Sequence, residues 1–592
     1  MKSIYISILT GVALCFGLLS CNDDFLERAP LINLSDANFW QSENDLRVYA
    51  NNFYNQDGLL GIMGTWSDSY YSFDAKNGSD THVQENYNRR MNGENTLPSS
   101  DGGWSSGDWS VLRNINYFMD HYRQVEAQWE NIRQYVGEAH FFRSIFYFNK
   151  LRTFGDVPWT STTVNVDSET LYAPRTPRNE LADSIMHDLD LAIEYLPARA
   201  GSAWSGRVTK ETALALQARI ALYEGTWERY HAKKNTPFAV SGSDEAKFIR
   251  KAADAAETLI AMAETNGFPA LDNMDIEDGY WRLFNRKDYS NHKEVLLWRK
   301  FSIAEGVVQH YWGNHGGLSK SMVDSYLCLD GKPVSLSPMY QGDKDLVTVI
   351  ENRDPRLSQT MQVNDGKHIL WDDRGGETIY FTTPGFSLPA TGYQLYKGNH
   401  TDYAENANGQ QSTAGIIYFR YAETLLIYAE AKTELGTVTQ SDIDKTVNAL
   451  RLRAGMKDGL LDMNGIATDP KWEFSGISPL LQEVRRERKV ELACEGFRVD
   501  DIFRWAAADE LIMGKRPLGA IRKQWEDYPD ASDDFVTAIN ALGVTDDGYI
   551  DPYRNYEGMG NGYQFNPGRD YLSPIPTNEI VLNPKLKQNP GW

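Results

Sequence analysis

Basic charge is scarce in this sequence. Lys and Arg number 59 against 81 Asp and Glu, which gives a formal net charge of −22, and no long run of Lys or Arg occurs. Proteins that bind the phosphate backbone of a nucleic acid need a basic surface that displaces counterions. Nucleic acid is therefore excluded as an expected partner, and the strong negative charge favours an uncharged ligand.

Cysteine is scarce as well, with four among 592 residues. Cys15 and Cys21 lie near the N-terminus, so Cys328 and Cys494 are the two that remain for the folded part. Two cysteines cannot supply a disulfide framework of the kind that stabilises small secreted proteins. We expect both to be buried free thiols.

Long hydrophobic runs are missing except at residues 4–19, and the mean hydropathy of the chain is −0.50. This run is shorter than the ~20 apolar residues of a transmembrane helix and suits the central region of an export signal. It ends in LLSC at 18–21, which resembles the bacterial lipobox, and the acidic residues that follow resemble a surface-export signal of Gram-negative lipoproteins. We predict that residues 1–20 are a lipoprotein signal peptide. Lipid on Cys21 would then anchor the protein in the outer membrane, facing the cell exterior.

The HExxH, CxxC and GxxxxGK[ST] motifs of metalloproteases, redox proteins and P-loop proteins are also missing. The ten His are dispersed, and His310 and His315 do not fall on one helix face. The acidic run at 272–279 has Met274 where a calcium-binding EF-hand loop needs Asp. We therefore predict no metal and no cofactor. A glycoside hydrolase stays open because it needs only two carboxylates.

Hydrophobic periodicity predicts a mainly α protein built from helix pairs. In the Gly- and Pro-rich region at 266–415, the sequence predicts short strands such as 295–298 and 378–381. Residues 509–592 form an aperiodic tail. We expect this tail to pack onto the body through four aromatic side chains, Trp525, Tyr549, Tyr563 and Tyr571. The predicted helices are 37–55, 111–153, 177–196, 209–226, 244–265, 420–435, 442–454, 478–495 and 499–508.

Nine segments of the chain form a distinctive set of motifs. The C-terminal half holds RDPRL (353–357), TGYQLYK (391–397), RYAETLLIYAEAK (420–432), VNALRLRAGM (447–456), EVRRERKVELACEGFRVDDIFRW (483–505) and PIPTNEIVLNPKLKQNPGW (574–592). The N-terminal half holds FWQSENDLRVYANNFYN (39–55), EAHFFRSIFYFNKLRTFGDVPW (138–159) and GRVTKETALALQARIALYEGTW (206–227). Together the nine segments resemble, in order along the chain, the shared blocks of the SusD/RagB family of surface nutrient-binding lipoproteins.

The resemblance implies a tetratricopeptide-like helix-pair scaffold with long irregular loops and a few short strands. We predict one SusD-like unit at 21–592, with helical parts at 21–265 and 416–592 and an irregular insertion at 266–415 that carries much of the binding face. The family's partner is a SusC-like TonB-dependent outer-membrane barrel, over which the lipoprotein sits as a lid. We therefore predict capture and delivery of an oligosaccharide and no enzymatic activity. A peptide-binding lid of the same family and a surface glycoside hydrolase are the alternatives.

Charged residues of the shared blocks have a structural explanation. Glu487, Glu491 and Glu495 recur at four-residue spacing, and the arginines Arg485, Arg488 and Arg498 are placed for ion pairs between packed helices. Buried ion pairs are likewise expected for Arg420 and Glu430. Among the aromatic residues of the helical blocks, Trp129, Phe146 and Trp505 are expected in the core.

A sugar-binding site needs exposed aromatic planes for the C–H faces of the sugar and polar side chains for its hydroxyls. The resemblance places ligand residues in the loops after the first helix and in the irregular insertion, where two or three aromatics would stack on a glycan and Asp74 or Asn77 would orient it. The predicted ligand-binding residues are Trp66, Asp68, Asp74, Asn77, Trp104, Trp281, Trp312, Trp371, Arg374 and Tyr393.

Overall fold

The fold is mainly α, as the sequence predicts. The computed structural model describes residues 39–56, 59–60, 78–84, 86–199, 206–273, 275–310, 317–380, 391–407, 411–474, 476–525 and 533–592. Cys21 lies outside this described part. No helix within it combines the length and the apolar character needed to cross a membrane.

The described helices of more than ten residues lie within 106–266 and 421–491, and the others have nine residues or fewer. The helices are α1 (Glu43–Asn51), α2 (Ser106–His121), α3 (Trp129–Phe154), α4 (Arg178–Tyr195), α5 (Lys210–Lys233), α6 (Glu245–Asn266), α7 (Gly279–Leu283), α8 (Lys320–Ser325), α9 (Leu346–Ile350), α10 (Arg356–Thr360), α11 (Tyr403–Ala407), α12 (Tyr421–Glu434), α13 (Gln440–Lys445), α14 (Val447–Arg453), α15 (Pro479–Glu491), α16 (Arg498–Arg504), α17 (Ala508–Leu511), α18 (Asp533–Ala541) and α19 (Thr577–Leu582).

The strands are short and pair two by two as antiparallel ladders. Val295 pairs with Arg420 and Arg299 with Ile416, while Gly317 and Leu318 pair with Val83 and His82. The strands are β1 (His82–Val83), β2 (Val295–Arg299), β3 (Gln309–His310), β4 (Gly317–Leu318), β5 (Ile369–Arg374), β6 (Glu377–Tyr380), β7 (Gln411–Ser412), β8 (Ile416–Arg420), β9 (Gly543–Val544) and β10 (Ile550–Asp551), paired as β1–β4, β2–β8, β3–β7, β5–β6 and β9–β10.

The scaffold consists of consecutive helices packed side by side, α3 on α4, α4 on α5, α5 on α6, and α6 on α12. The pair α3 and α4 is antiparallel, because Trp129 at the start of α3 contacts Tyr195 at the end of α4, with ring centroids 5.0 Å apart. Inside this pair, Arg143 of α3 donates two hydrogen bonds to Asp188 of α4 at 2.7 and 2.6 Å. Helix pairing is thus secured by both apolar packing and buried ion pairs.

Gly225 allows α5 and α6 to approach closely. A Cβ atom at this position would lie 2.6 Å from Cγ1 of Ile249 and 2.9 Å from the carbonyl oxygen of Glu245, both closer than van der Waals contact allows. The glycine therefore sets the distance between these two helices.

A network of buried ion pairs joins four separate segments of the C-terminal half around Glu491. Its carboxylate accepts hydrogen bonds from Arg420 at 2.6 Å and Arg356 at 2.7 Å, and also from Arg453. Arg420 reaches Glu495 as well, at 2.6 Å. Burial alone would raise the pKa of Glu491, but the three arginines hold it far below its ordinary value. The predicted structural role of these charges is confirmed.

Several other sequence predictions are confirmed. Cys328 and Cys494 are buried free thiols, and Phe146 and Trp505 lie in the core. Glu430 is fully buried and accepts two hydrogen bonds from Arg504 at 2.8 and 2.6 Å, which outweigh burial and lower its pKa to about 2. In the C-terminal tail, the side chains of Trp525, Tyr563 and Tyr571 are buried, and that of Tyr549 is half-buried.

Four predictions about helices and core are wrong. The helix predicted at 442–454 is two helices, α13 and α14, which are separated by Thr446. The helix predicted at 111–153 is two helices, because the chain becomes extended at Val125 although no Gly or Pro marks the break. The helix predicted at 209–226 continues to Lys233. Trp129 is 40% exposed because it is the first residue of α3, and its ring meets that of Tyr195 at an angle of 89°.

Candidate functional site

Three segments that flank predicted ligand loops meet at one place in the fold. Leu318 of β4 donates a backbone hydrogen bond to the carbonyl of Tyr393 at 2.8 Å, and Ser319 donates one to the carbonyl of Thr81 at 2.9 Å. The segments 78–84, 317–319 and 391–395 are therefore neighbours. Five predicted ligand residues lie outside the described part of the chain, close in sequence to these segments: Trp66, Asp68, Asp74, Asn77 and Trp312.

The β5–β6 hairpin carries the other exposed candidates. Its two-residue loop is Gly375-Gly376, with φ of +70° and +91°, the positive values that a type I′ turn requires at both positions. Trp371 on β5 is half-buried, and Arg374 beside the turn is exposed. The hairpin therefore displays the predicted Trp371 and Arg374 on its surface.

Tyr403 at the start of α11 completes an aromatic group on this hairpin. Its ring lies 5.9 Å from Trp371, nearly edge-on at 70°, and the guanidinium carbon of Arg374 lies 5.2 Å from its centroid. The hairpin is held against the α11 segment by Asp372, whose amide donates to the carbonyl of Thr401 at 2.8 Å and whose carboxylate accepts from the Thr401 hydroxyl at 2.8 Å. An aromatic plane with polar groups at its edge suits a sugar ring and its hydroxyls.

An ion-paired cluster anchors α11 beside the hairpin. His400, Asp402 and Glu405 bring ligand atoms within 4.8 Å of one another, close enough to hold a metal ion. Lys287 already places its ammonium 2.9 Å from Asp402 and 2.7 Å from Glu405. Burial opposes the charge of Lys287, but the two carboxylates raise its pKa overall. The positive charge that these carboxylates need is thus supplied by a lysine.

Three predicted ligand residues lie in the core, which corrects the prediction for them. Trp104 is 5% exposed and packs its ring against Phe154 at 4.9 Å. Trp281 stacks on Tyr396 with centroids 5.0 Å apart, and its indole nitrogen donates to the Tyr396 carbonyl at 3.1 Å. Tyr393 has no exposed surface. These rings are already covered by protein, so none offers a free face to a sugar.

Residues 103–107 read GWSSG and match the GxSxG pattern of serine hydrolases. The hydroxyl of Ser105 donates to the carboxylate of Asp108 at 2.6 Å and accepts from its amide at 3.3 Å. These bonds form the capping box at the start of α2. Ser105 is a helix cap here, without the strand that precedes a nucleophile elbow.

Two models of known protein families match this chain. The family model "SusD family" matches residues 284–592, and the model "Starch-binding associating with outer membrane" matches residues 24–222. The chain belongs to the SusD family, as its shared segments indicate.

Similar proteins span the whole chain. A SusD-like protein P2 of Formosa agariphila is 24% identical, with 99% of each chain covered, and a SusD-like protein of Bacteroides ovatus is 22% identical, with 100% of this chain and 98% of that protein covered. Two crystal structures from Bacteroides fragilis share the fold with TM-scores of 0.67. One is a SusD-like protein that is 22% identical, with 95% of this chain and 100% of that protein covered. The other is a SusD-like carbohydrate binding protein that is 21% identical, with 93% of this chain and 100% of that protein covered.

Proposed function

We propose that this protein is a cell-surface lipoprotein that captures an oligosaccharide and delivers it to a SusC-like TonB-dependent barrel of the outer membrane. The family description as starch-binding and associated with the outer membrane supports the ligand class and the location. The similar fold of a SusD-like carbohydrate binding protein supports the ligand class further. Lipid on Cys21 would tether the protein, and residues 21–592 would act as one unit facing the cell exterior.

The observation that carries the proposal is the half-buried aromatic group at the β5–β6 hairpin. Trp371 and Tyr403 offer apolar ring surface, while Arg374 supplies five N–H donors for hydroxyls at its edge. The hairpin belongs to the insertion at 266–415 that we propose to carry much of the binding face. Trp66, Asp68, Asp74, Asn77 and Trp312 would add to it, because the segments that flank them meet at the β1–β4 pair.

Calorimetry on residues 22–592 tests this role, after affinity electrophoresis on a glycan panel has selected a ligand. Trp371→Ala and Trp312→Ala should each weaken binding about tenfold, equivalent to about 1.4 kcal/mol of lost stacking. Trp129→Ala is the matched control, because Trp129 is an exposed tryptophan of α3 outside the hairpin, and it should leave the affinity unchanged. Unaltered affinity in both test variants would refute the proposed site.

We propose binding without catalysis. The bound glycan should therefore stay intact during long incubation with the purified protein, as judged by chromatography of its products. Shortened fragments would instead support the alternative of a surface glycoside hydrolase. A peptide panel tested in the same way addresses the peptide-binding alternative, which predicts binding of peptides and none of any glycan.

A further inference from the structure

A cleft of about 350 Å³ opens beside the β1–β4 pair. Its walls come from five separate parts of the chain, at 79–80, 319–325, 334–335, 469–498 and 511–518, with Tyr563 added from the tail. The volume falls within the roughly 300–1,000 Å³ typical of small-molecule sites. Because 79–80 and 319 belong to the segments that flank the proposed ligand loops, the cleft adjoins the proposed glycan-binding region.

The charge of the cleft is opposite to that of the chain. Eight of its lining residues are Lys or Arg and four are Asp or Glu, whereas the whole chain has 59 basic and 81 acidic residues. Five of the eight basic residues come from 469–498, and the other three are Lys320, Lys515 and Arg516. Folding alone creates a locally basic cavity on an acidic protein.

Most of the basic residues inside the cleft are neutralised by ion pairs. Arg498 donates two hydrogen bonds to Asp80 at 2.7 Å each, and Lys489 lies 3.3 Å from Asp80 and 3.4 Å from Glu473. Arg486 pairs with Asp469 at 3.0 Å. The charges of Asp80, Asp469 and Glu473 are thereby balanced by basic residues of the same lining.

Two lysines of the lining are different. Lys471 and Lys515 are exposed, and within the described part of the chain neither ammonium group forms an ion pair with a carboxylate. Trp472, next to Lys471, is half-buried and also lines the cleft. The cleft thus combines two available positive charges with an aromatic side chain, which suits a ring that carries a negative group.

We propose that this cleft binds the carboxylate or sulfate group of an acidic oligosaccharide, with Lys471 and Lys515 contacting the anion and Trp472 contacting the sugar ring. The inference rests on the proposed function and deepens it, because it names the class of glycan. The preference for an uncharged ligand, which the overall charge of −22 favours, is thereby reversed at this site.

Calorimetry on the full-length protein in detergent micelles tests the inference with three probes of equal length: a galacturonic acid oligosaccharide, a sulfated galactan oligosaccharide and a neutral gluco-oligosaccharide. At least one acidic probe should bind about tenfold more tightly than the neutral one, and its affinity should fall as salt is raised. The double variant Lys471→Gln/Lys515→Gln should lose about tenfold in affinity for that probe and retain its affinity for the neutral probe. Binding of one acidic probe and not the other identifies carboxylate or sulfate as the recognised group.

The control is Lys585→Gln/Lys587→Gln, which removes the same charge from two exposed lysines outside the cleft. Equal loss of affinity in control and test variants would overturn the inference, because only the net charge would then matter. Binding of the neutral probe with no preference for either acidic probe would also overturn it, while leaving the proposed glycan-binding function intact. Failure of all three probes, together with the whole glycan panel, would count against the proposed function itself.

Discussion

Replacing Glu228 by Gln should remove a pH dependence from the stability of this protein. Glu228 of α5 has no exposed surface and makes no ion pair in the described structure, whereas Glu224, one turn earlier, pairs with Arg178 at 2.6 Å. Burial, reinforced by the negative charge of Glu224, raises the pKa of Glu228 to about 8 from an ordinary 4.5. The side chain is therefore mainly a neutral carboxylic acid at pH 7.

The sign of the effect follows from the raised pKa. Glu228 binds its proton more tightly in the folded than in the unfolded protein, so stability is lost as the pH rises from 4.5 towards 8 and beyond. With these two pKa values, raising the pH from 6 to 9 lowers the free energy of unfolding by about 3 kcal/mol through this group alone. Glutamine has the size of the neutral acid and no charge to acquire, so the variant should lack this loss.

Denaturant unfolding at pH 6, 7, 8 and 9 measures the effect as the difference between wild type and variant, since other titrating groups are common to both. Glu228→Gln should gain about 3 kcal/mol relative to wild type across this range. For Glu180→Gln, at an exposed position of the neighbouring helix α4, the free energy of unfolding should change with pH as it does in the wild type. Parallel curves for Glu228→Gln would refute the reasoning and show that the carboxylate is solvated or paired.

Two further predictions concern packing and buried charge. Gly225→Ala should lower the free energy of unfolding by about 1–3 kcal/mol, because the new methyl group would meet the backbone of Glu245 and separate α5 from α6. The control is Gly560→Ala, since no atom lies within 4 Å of the carbon that it adds. An equal loss of stability in both variants would contradict the argument that α5 and α6 approach closely at Gly225. Arg420→Met should lower the free energy of unfolding by about 3–5 kcal/mol, because it leaves buried glutamates without a cation. The control is Arg282→Met, at an arginine whose side chain is 59% exposed, and it should change the stability towards denaturant little. Equal stability of the two variants would show that the buried pairs contribute nothing.

The long helices could be predicted from the sequence because their signals are local. Pro177 and Pro197 bracket α4, and the structure places the helix at Arg178–Tyr195. Short helices of the insertion could not be predicted, since α7, with five residues, is too short to show a period. The spacing of Glu487, Glu491 and Glu495 predicted ion pairs, but their partners come from distant segments that no local pattern identifies.

The candidate site was predictable only in part, for the same reason. Trp371 and Arg374 lie on a hairpin that turns at Gly375-Gly376, a local signal that places them at the surface. Trp281 lies in a stretch just as irregular, yet it is buried because Tyr396, more than a hundred residues later, stacks on it. Whether an aromatic residue of a loop faces solvent or core depends on such distant partners.

Local and overall charge act over different distances in ligand selection. At physiological ionic strength the screening length is about 8 Å, so an approaching anion feels little of the net charge of −22 until it is near the surface. Once it enters the cleft, the nearest charges decide, and those available for pairing are Lys471 and Lys515. A deeply acidic protein can therefore still select an acidic sugar, provided that the acidic residues around the cleft are already neutralised, as Asp80 is by Arg498 and Lys489. The acidic composition disfavours an extended polyanion such as nucleic acid, because such a ligand would contact the surface well beyond the cleft. It leaves open a short acidic oligosaccharide that fits within the cleft.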